Sequence, residues 1–200
     1  MLQNEGANVS LNTVRRTLDR RGLVKKRSPW KRYHPPTTRP VVVSPGDLVQ
    51  VDTIHLMKNQ KERIYIFTLI DLHSRWIHAW ASDRISARIS LLFLYHAKQR
   101  APFIFQMIQS DHGPEFSTHF TERLGTPHRH SRVRKPNDNA HVERFNRTLQ
   151  EEFLNHLAVD VALINERLPE YLEYYNTKRL HLGIGLQTPQ DILKCFQGVG

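Results

Sequence analysis

The fold is decided by Lys135-Pro-Asn-Asp-Asn-Ala-His-Val-Glu-Arg-Phe-Asn-Arg-Thr-Leu149, a stretch that begins as a turn and becomes a patterned helix. Its apolar residues recur at i, i+3, i+7 and i+11, which predicts one stripe against a core: Val142, Phe145, Leu149 and Phe153. Glu143 lies beside that stripe near the helix start, where the positive end of the helix dipole favours an ionised carboxylate. The stretch therefore predicts a helix that fixes one carboxylate at the edge of a core.

The composition of the chain is basic and globular. Its 200 residues carry 29 Lys+Arg against 19 Asp+Glu, for a formal net charge of +10. Such a charge attracts polyanions, of which nucleic acid is the commonest in a cytoplasm. A hydrophobic fraction of 39% without a long apolar run excludes a disordered chain and predicts neither a membrane span nor a signal peptide. The single Cys195 excludes an internal disulfide and a cysteine-based zinc cluster, which fits a reducing cytoplasm.

The amino-terminal residues predict a short basic helix. Ser10 is a suitable cap, Gly22 a suitable end, and the apolar stripe between them consists of Leu11, Val14 and Leu18. Four arginines lie on the other faces: Arg15, Arg16, Arg20 and Arg21. These residues fit either the DNA-reading helix of a helix-turn-helix or a solvated face of a packing helix. Residues 26–44 then form a basic, proline-containing linker whose charges suit phosphates.

The middle of the chain predicts a mixed α/β domain. Five strands are expected, at residues 48–56, 63–71, 77–81, 103–108 and 128–133. Helices are expected after Ser86, where residues 89, 92, 93 and 96 line one face, and after Pro114. The opening helix follows, and a final helix over residues 163–178 is expected to begin or kink at Pro169. Residues 45–158 are therefore taken as the core, with residues 159–200 packed on it.

Three carboxylates stand out chemically. Asp52 lies in the middle of an apolar strand, where burying an unpaired carboxylate costs several kcal/mol. Asp111 ends an apolar strand, at the edge where α/β sheets place their sites. With Glu143 from the helix, these residues offer hard oxygen ligands for two Mg²⁺ or Mn²⁺ ions. Two such ions can activate an attacking oxygen and stabilise a leaving one at a phosphodiester.

Other interpretations of these carboxylates stay open from the residues alone. An isolated strand aspartate more often pairs with a cation or holds a turn. Asp71 competes with Asp52, and is interpreted as pairing with Arg75 or holding a turn. Glu115 competes with Glu143, although it lies only four residues beyond Asp111.

Ordered motifs surround the carboxylates. They are Val51-Asp-Thr53, Asp71-Leu-His-Ser-Arg75, Ser110-Asp-His-Gly-Pro-Glu-Phe116, Asn139-Ala-His-Val-Glu-Arg-Phe-Asn-Arg147, Tyr175-Asn-Thr-Lys-Arg-Leu-His181 and Thr188-Pro189. Over residues 40–193 the chain resembles the integrase catalytic core of bacterial insertion-sequence transposases and retroviral integrases. The resemblance implies a ribonuclease-H-like fold with a five-stranded mixed sheet and flanking helices. It also implies that Asp52, Asp111 and Glu143 are the Asp-Asp-Glu metal-binding triad, and that residues 1–25 are a partial helix-turn-helix remnant.

The resemblance further implies a DNA transposase or integrase that cleaves phosphodiesters and transfers strands with two Mg²⁺ or Mn²⁺ ions and no covalent enzyme intermediate. Its partners would be transposon ends, target DNA and further copies of the chain, in a bacterial cytoplasm. The residues expected to contact or position DNA are Arg144, Arg147, Lys135, Arg134, Asn139, His112, Lys178, Arg179, Arg15 and Arg16.

Two departures from the family pattern leave alternatives. His112 stands where the family often has Asn, and Asn139-Ala140 where some members have Asn-Gly. The incomplete helix-turn-helix favours a catalytically silent DNA-binding fragment or regulator as the second hypothesis. A plain nuclease of the same fold is the third.

Overall fold

The structure, a computed structural model, describes residues 10–23, 38–132 and 138–197, which divide between two units, Met1–Pro35 and Pro36–Gly200. In the first unit, α1 spans Leu11–Arg20, and the Ser10 hydroxyl accepts a hydrogen bond from the Thr13 N–H (3.2 Å). The predicted helix and cap are confirmed. No residue of α1 is buried. Most of the predicted linker lies outside the described residues.

The second unit contains a five-stranded mixed sheet, as predicted. Its strands are β1 (Val49–Met57), β2 (Arg63–Asp71), β3 (Ile77–Ser82), β4 (Ile108–Ser110) and β5 (His128–His130). Their order is β3-β2-β1-β4-β5. The β1–β2 and β2–β3 pairs are antiparallel, whereas β1, β4 and β5 run parallel. The fourth strand was predicted to begin at residue 103, but β4 begins at Ile108. Phe103 and Phe105 pack into the core, although their backbone is not part of the sheet.

Five further helices flank the sheet. They are α2 (Ala87–Arg100), α3 (Thr118–Arg123), α4 (Ala140–Glu152), α5 (Val161–Thr177) and α6 (Pro189–Gln197). The predicted face of α2 is half right: Phe93 is buried and Ile89 packs against the core, whereas Leu92 and His96 are exposed. The buried residues of α2 are Ser90, Phe93, Leu94 and Ala97. None of the described helices has the length and apolar character needed to cross a membrane.

Each face of the sheet carries its own apolar core. On one face, strand residues such as Ile54 and Ile66 pack with α4 and α5. On the other, Val51 and Phe67 pack with α2 and α3. The opening stripe of α4 is confirmed, since Val142, Phe145 and Leu149 are at most 1% exposed. Burial of each such side chain contributes about 1.5–3 kcal/mol, which fixes the rotation of α4 on the sheet.

Helix α5 covers the outer edge of β3. Asn165 exchanges two hydrogen bonds with the backbone of Ala81 (2.8 and 2.9 Å), and Asn176 does the same with Ile77 (2.9 and 3.0 Å). The helix begins after its cap Asp160 and continues through Pro169, so the prediction of a helix start at Pro169 is wrong. Proline removes one hydrogen bond of the helix, but the two asparagines and a buried apolar stripe still attach the helix to the sheet.

Candidate active site

The register of the parallel strands brings Asp52 and Asp111 together. Val49 pairs with Ile108 and Gln50 with Gln109, so the partners are 59 residues apart (108 − 49 = 109 − 50 = 59). Asp52 and Asp111 have the same separation (111 − 52 = 59). Neighbouring strands lie about 4.8 Å apart. Continuing the register by two residues therefore places the two aspartates side by side, where β4 has just ended at Ser110.

Asn146 attaches α4 to Asp52. Its amide Nδ2 donates to Asp52 Oδ2 (2.8 Å), and its Oδ1 accepts from the Thr68 hydroxyl (2.7 Å). Thr68 is the register partner of Asp52 on β2. Glu143 is exposed and lies one helical turn before Asn146, on the same side of α4. The buried asparagine thus fixes the turn that carries Glu143 against β1. From the sequence, Asn146 was only one residue of the motif around Glu143 and had no assigned role.

The charge around Asp52 is not balanced by cations. Burial raises the pKa of Asp52 to about 6, the Thr53 N–H (2.8 Å) opposes the rise, and the negative charges of Asp111, Glu115 and Glu143 add to it. Among the described residues, no Lys or Arg forms an ion pair with any of these four carboxylates. A cluster of carboxylates without cationic partners is stabilised when it binds a cation.

Glu115 belongs to this group together with Glu143, although the sequence interpretation treated the two glutamates as alternatives. It lies in a short 3₁₀ turn, Pro114–Phe116, and is only 6% exposed. A Cβ atom on Gly113 would lie 2.6 Å from Glu115 Oε2 and 3.0 Å from Asp111 Oδ1, so both carboxylates crowd the same glycine. Pro114 at the first position of the turn, three residues after Asp111, was the available signal.

The donor set fits Mg²⁺ or Mn²⁺, because all four groups supply carboxylate oxygens. As the described side chains lie, no three of Asp, Glu, His or Cys converge closely enough to hold one ion. The carboxylates therefore act on one another through their charges and are not yet at ligand distance. Coordination requires side-chain rotation, for which the exposed Glu143 has room.

A buried row of polar side chains anchors the start of α4 to the same strands. Gln50, Gln109 and Arg129 are register partners on β1, β4 and β5, and each is at most 2% exposed. The amides of Gln50 and Gln109 donate to the backbone carbonyl of Asp138, just before α4. Gln50 also accepts from the Val142 N–H (3.1 Å). The helix entry is therefore held by the strands that carry Asp52 and Asp111.

The Asp138 carboxylate completes this anchor. Arg132 donates to both of its oxygens (2.8 and 3.0 Å), and the buried Arg129 lies at 3.5 Å. Arg39 lies at 3.9 Å. The hydrogen bonds from Arg132 hold the pKa of Asp138 well below its usual range. Sequence reasoning missed this role, since Asp138 was interpreted only as part of a turn.

Asp71 holds a turn and lies outside the carboxylate group. Its oxygens accept from the Gly46 N–H (2.8 Å) and from the N–H and hydroxyl of Ser74 (both 2.7 Å). The Arg75 side chain instead contacts His141 (3.1 Å). Of the two interpretations of Asp71, the turn is confirmed and the ion pair with Arg75 is wrong.

The predicted DNA-contacting residues differ in their surroundings. The exposed ones are Arg144, Arg147, His112, Lys178, Arg15 and Arg16. Arg147 lies one turn beyond Glu143 on α4, whereas Arg15 and Arg16 belong to the first unit. His112 stacks on His130, with ring centroids 4.8 Å apart. Arg134 and Lys135 lie outside the described residues.

Two of the predicted residues are engaged within the protein. Arg179 donates to Glu152 (2.7 Å) and lies over the ring of Tyr175, 5.3 Å from its centroid. Asn139 accepts from the Gln109 amide (2.8 Å). Both therefore stabilise the surroundings of α4, and a contact with DNA stays a prediction for each.

Comparisons with known proteins agree with the fold. Two family models, both described as Integrase core domain, match residues 43–136 and 124–189. The transposase for insertion sequence element IS904 of Lactococcus lactis is 28% identical over 165 residues, covering 78% of this chain and 63% of that protein. A putative integrase of Spiroplasma virus SpV1-C74 is 24% identical over 173 residues, covering 74% of this chain and 48% of that protein. The chain thus spans 48–63% of the length of these two relatives.

Solved structures share the fold. A chain of the simian T-cell lymphotropic virus intasome superposes with a TM-score of 0.64 at 19% identity, covering 79% of this chain and 58% of that one. The HTLV-2 integrase catalytic core domain in complex with magnesium superposes with a TM-score of 0.56 at 17% identity, covering 74% of this chain and 96% of that one. The predicted ribonuclease-H-like fold is confirmed. The two family-model matches together span residues 43–189, and the chain belongs to the integrase core domain family.

Proposed function

We propose that this protein catalyses metal-dependent phosphodiester cleavage and strand transfer in DNA transposition or integration. The observation that carries the proposal is the group of carboxylates where β1, β4 and α4 meet, none of which forms an ion pair with a described Lys or Arg, in a chain of the integrase core family. Asp52, Asp111 and Glu143 are its proposed catalytic, metal-binding residues. The magnesium complex of the HTLV-2 integrase core, which shares this fold, supports the choice of Mg²⁺.

The proposed chemistry needs no nucleophile from the protein. Two bound Mg²⁺ or Mn²⁺ ions would supply activation of the attacking oxygen and stabilisation of the leaving oxygen. The three carboxylates would hold and orient the ions, and Asn146 would keep Asp52 and α4 in position. Water attacks first and a DNA 3′-hydroxyl second, so neither step requires a covalent enzyme intermediate.

DNA is the proposed substrate and partner. Arg144 and Arg147 are exposed on α4 next to Glu143, and neither forms an ion pair with a described residue. They are proposed to bind phosphates close to the reaction, with Lys178 at the end of α5. Further candidates are Arg15, Arg16, Arg134, Lys135, Arg179, Asn139 and His112. The reaction would take place in the bacterial cytoplasm, on paired DNA ends held by several copies of the chain.

The test is a strand-transfer assay with Mg²⁺, using DNA that flanks the coding sequence as the source of ends. Glu143→Gln is expected to abolish cleavage and strand transfer while leaving DNA binding and folding intact, because only a metal ligand is lost. Glu151→Gln, which changes an exposed carboxylate of the same helix, is the matched control and should remain active. Full activity of Glu143→Gln would overturn the assignment.

A silent DNA-binding protein is the second candidate. As the described side chains lie, no three carboxylates are close enough to hold one metal ion, and this observation favours the second candidate. The same assay separates the two, since a silent protein binds the DNA and leaves it intact when Mg²⁺ is added.

A further inference from the structure

The turn that follows β4 directs a fourth carboxylate to the proposed metal site. Phe116 is 2% exposed and its N–H donates to the Gly113 carbonyl (3.0 Å), which fixes the backbone of the turn. Gly113 in turn donates its N–H to Asp111 Oδ1 (2.8 Å). Because a Cβ atom at position 113 would meet both Glu115 and Asp111, the two carboxylates lie on the same side of this glycine.

Glu115 is buried without a partner in the described part of the chain. It is 6% exposed, yet no hydrogen bond or ion pair to its carboxylate is present there. The other buried carboxylates of this unit are satisfied: Asp71 by three donors and Asp138 by its arginines. The fully buried side-chain atoms without a partner among the described residues are Thr53 Oγ1 and His181 Nε2, so the Glu115 oxygens keep contact with solvent and are open to a cation.

The charge of Glu115 reaches the centre of the site. Glu115 Oε2 and Asp111 Oδ1 both lie within 3.0 Å of the point where a Cβ atom of Gly113 would stand. Asp111 directly follows β4, the strand that runs beside β1 and its Asp52. Capping of its own turn does not explain the position, since a turn of three residues has little dipole to stabilise.

We propose that Glu115 is a fourth carboxylate of the divalent-cation site, supplying an oxygen to the Mg²⁺ or Mn²⁺ bound by Asp52 and Asp111. The inference rests on the proposed function, because the cation is the one that the proposed reaction uses. The group would then carry four negative charges toward two divalent ions, which balances their charge.

The test is titration of the full-length protein with Mn²⁺, in which free ion is measured by electron paramagnetic resonance without DNA and without turnover. Glu115→Gln is expected to weaken Mn²⁺ binding by about 10- to 100-fold. The matched control is Glu122→Gln, an exposed carboxylate on the neighbouring α3, which should bind like the wild type. Asp52→Asn is measured in parallel and should lose binding.

The outcomes separate the two proposals. If the wild type and Asp52→Asn bind Mn²⁺ equally, the metal site of the proposed function is overturned. If Asp52→Asn loses binding but Glu115→Gln binds like the wild type, only the role of Glu115 is overturned. Thermal melting in EDTA checks folding, and Glu115→Gln should melt no lower than the wild type. Should it fail to fold, Glu115→Asp carries the test, since unchanged affinity in that shorter carboxylate would also overturn the inference.

Discussion

Asp52 and Asp138 both lie where α4 meets the sheet, but the charges that surround their carboxylates have opposite signs. Asp138 is 1% exposed and receives hydrogen bonds from Arg132 and Arg129, and its pKa is well below the usual range. Asp52 receives only the Thr53 N–H and the Asn146 amide, faces three other carboxylates, and has a pKa of about 6. Arginine side chains thus neutralise Asp138, which holds the start of α4. Among the described residues, no Lys or Arg pairs with Asp52, which α4 faces. The difference separates a structural carboxylate from one that is open to a cation from solution.

The largest expected effect on stability comes from removing the Asp138 carboxylate. Asp138→Ala leaves Arg129 buried without its carboxylate, and breaking a buried pair from one side costs about 3–5 kcal/mol. Urea denaturation of the two proteins measures the loss. Arg132→Ala is the control, because Arg132 is half exposed and its removal should cost less. Equal stability of Asp138→Ala and the wild type would show that Asp138 does not anchor α4.

Substitution of Asp52 is expected to change the stability of the protein in the opposite direction. A pKa raised from 3.8 to about 6 means that the folded state disfavours the ionised form. Asp52→Asn should therefore stabilise the protein at pH 7 in EDTA by about 1–3 kcal/mol, after allowance for solvent screening.

The pH dependence of that gain follows from the same shift. Below pH 3.8, Asp52 is protonated in both states and imposes no cost on folding. Between pH 3.8 and about 6 the unfolded state releases its proton first, so the advantage of Asp52→Asn grows and is then constant above pH 6. Urea denaturation at pH 4, 5, 6 and 7 checks this course. A difference that stays flat from pH 4 to 7 would contradict the raised pKa.

The smallest effect is expected at an arginine without a carboxylate partner among the described residues. Unlike Arg129, Arg147 is exposed and forms no ion pair there. Arg147→Ala should leave stability unchanged and reduce the slope of log K for DNA against log salt by about 1, since one phosphate contact is lost. Fluorescence anisotropy at several salt concentrations measures the slope. Arg167→Ala, an exposed arginine of α5 next to Glu166, should keep the wild-type slope.

Local sequence patterns predicted the main elements of the fold. The apolar stripe of α4, the helix after Pro114 and every strand except the fourth depend on spacing within one element, and they are present. The association of Asp52 with Asp111 came from the family resemblance, and the register of the parallel strands, which has the same offset, agrees with it.

The missed features depend on contacts between distant residues. Burial of Arg129 requires Gln109 from one strand and Asp138 from the start of α4, which no local pattern contains. The charge of Glu115 matters only because β4 runs beside β1 and places the following turn near Asp52. The early start predicted for β4 has a similar cause, since apolar residues that fill a core resemble those of a strand.

The asparagines of α5 have a consequence for how copies of this protein can assemble. The outer backbone groups of Ile77 and Ala81 are the positions at which an added strand would pair, and Asn176 and Asn165 occupy them. A neighbouring copy that continued the sheet there would first have to break these four hydrogen bonds and displace α5. Multimers are therefore expected to form through side-chain surfaces, and growth into fibres along this edge is disfavoured.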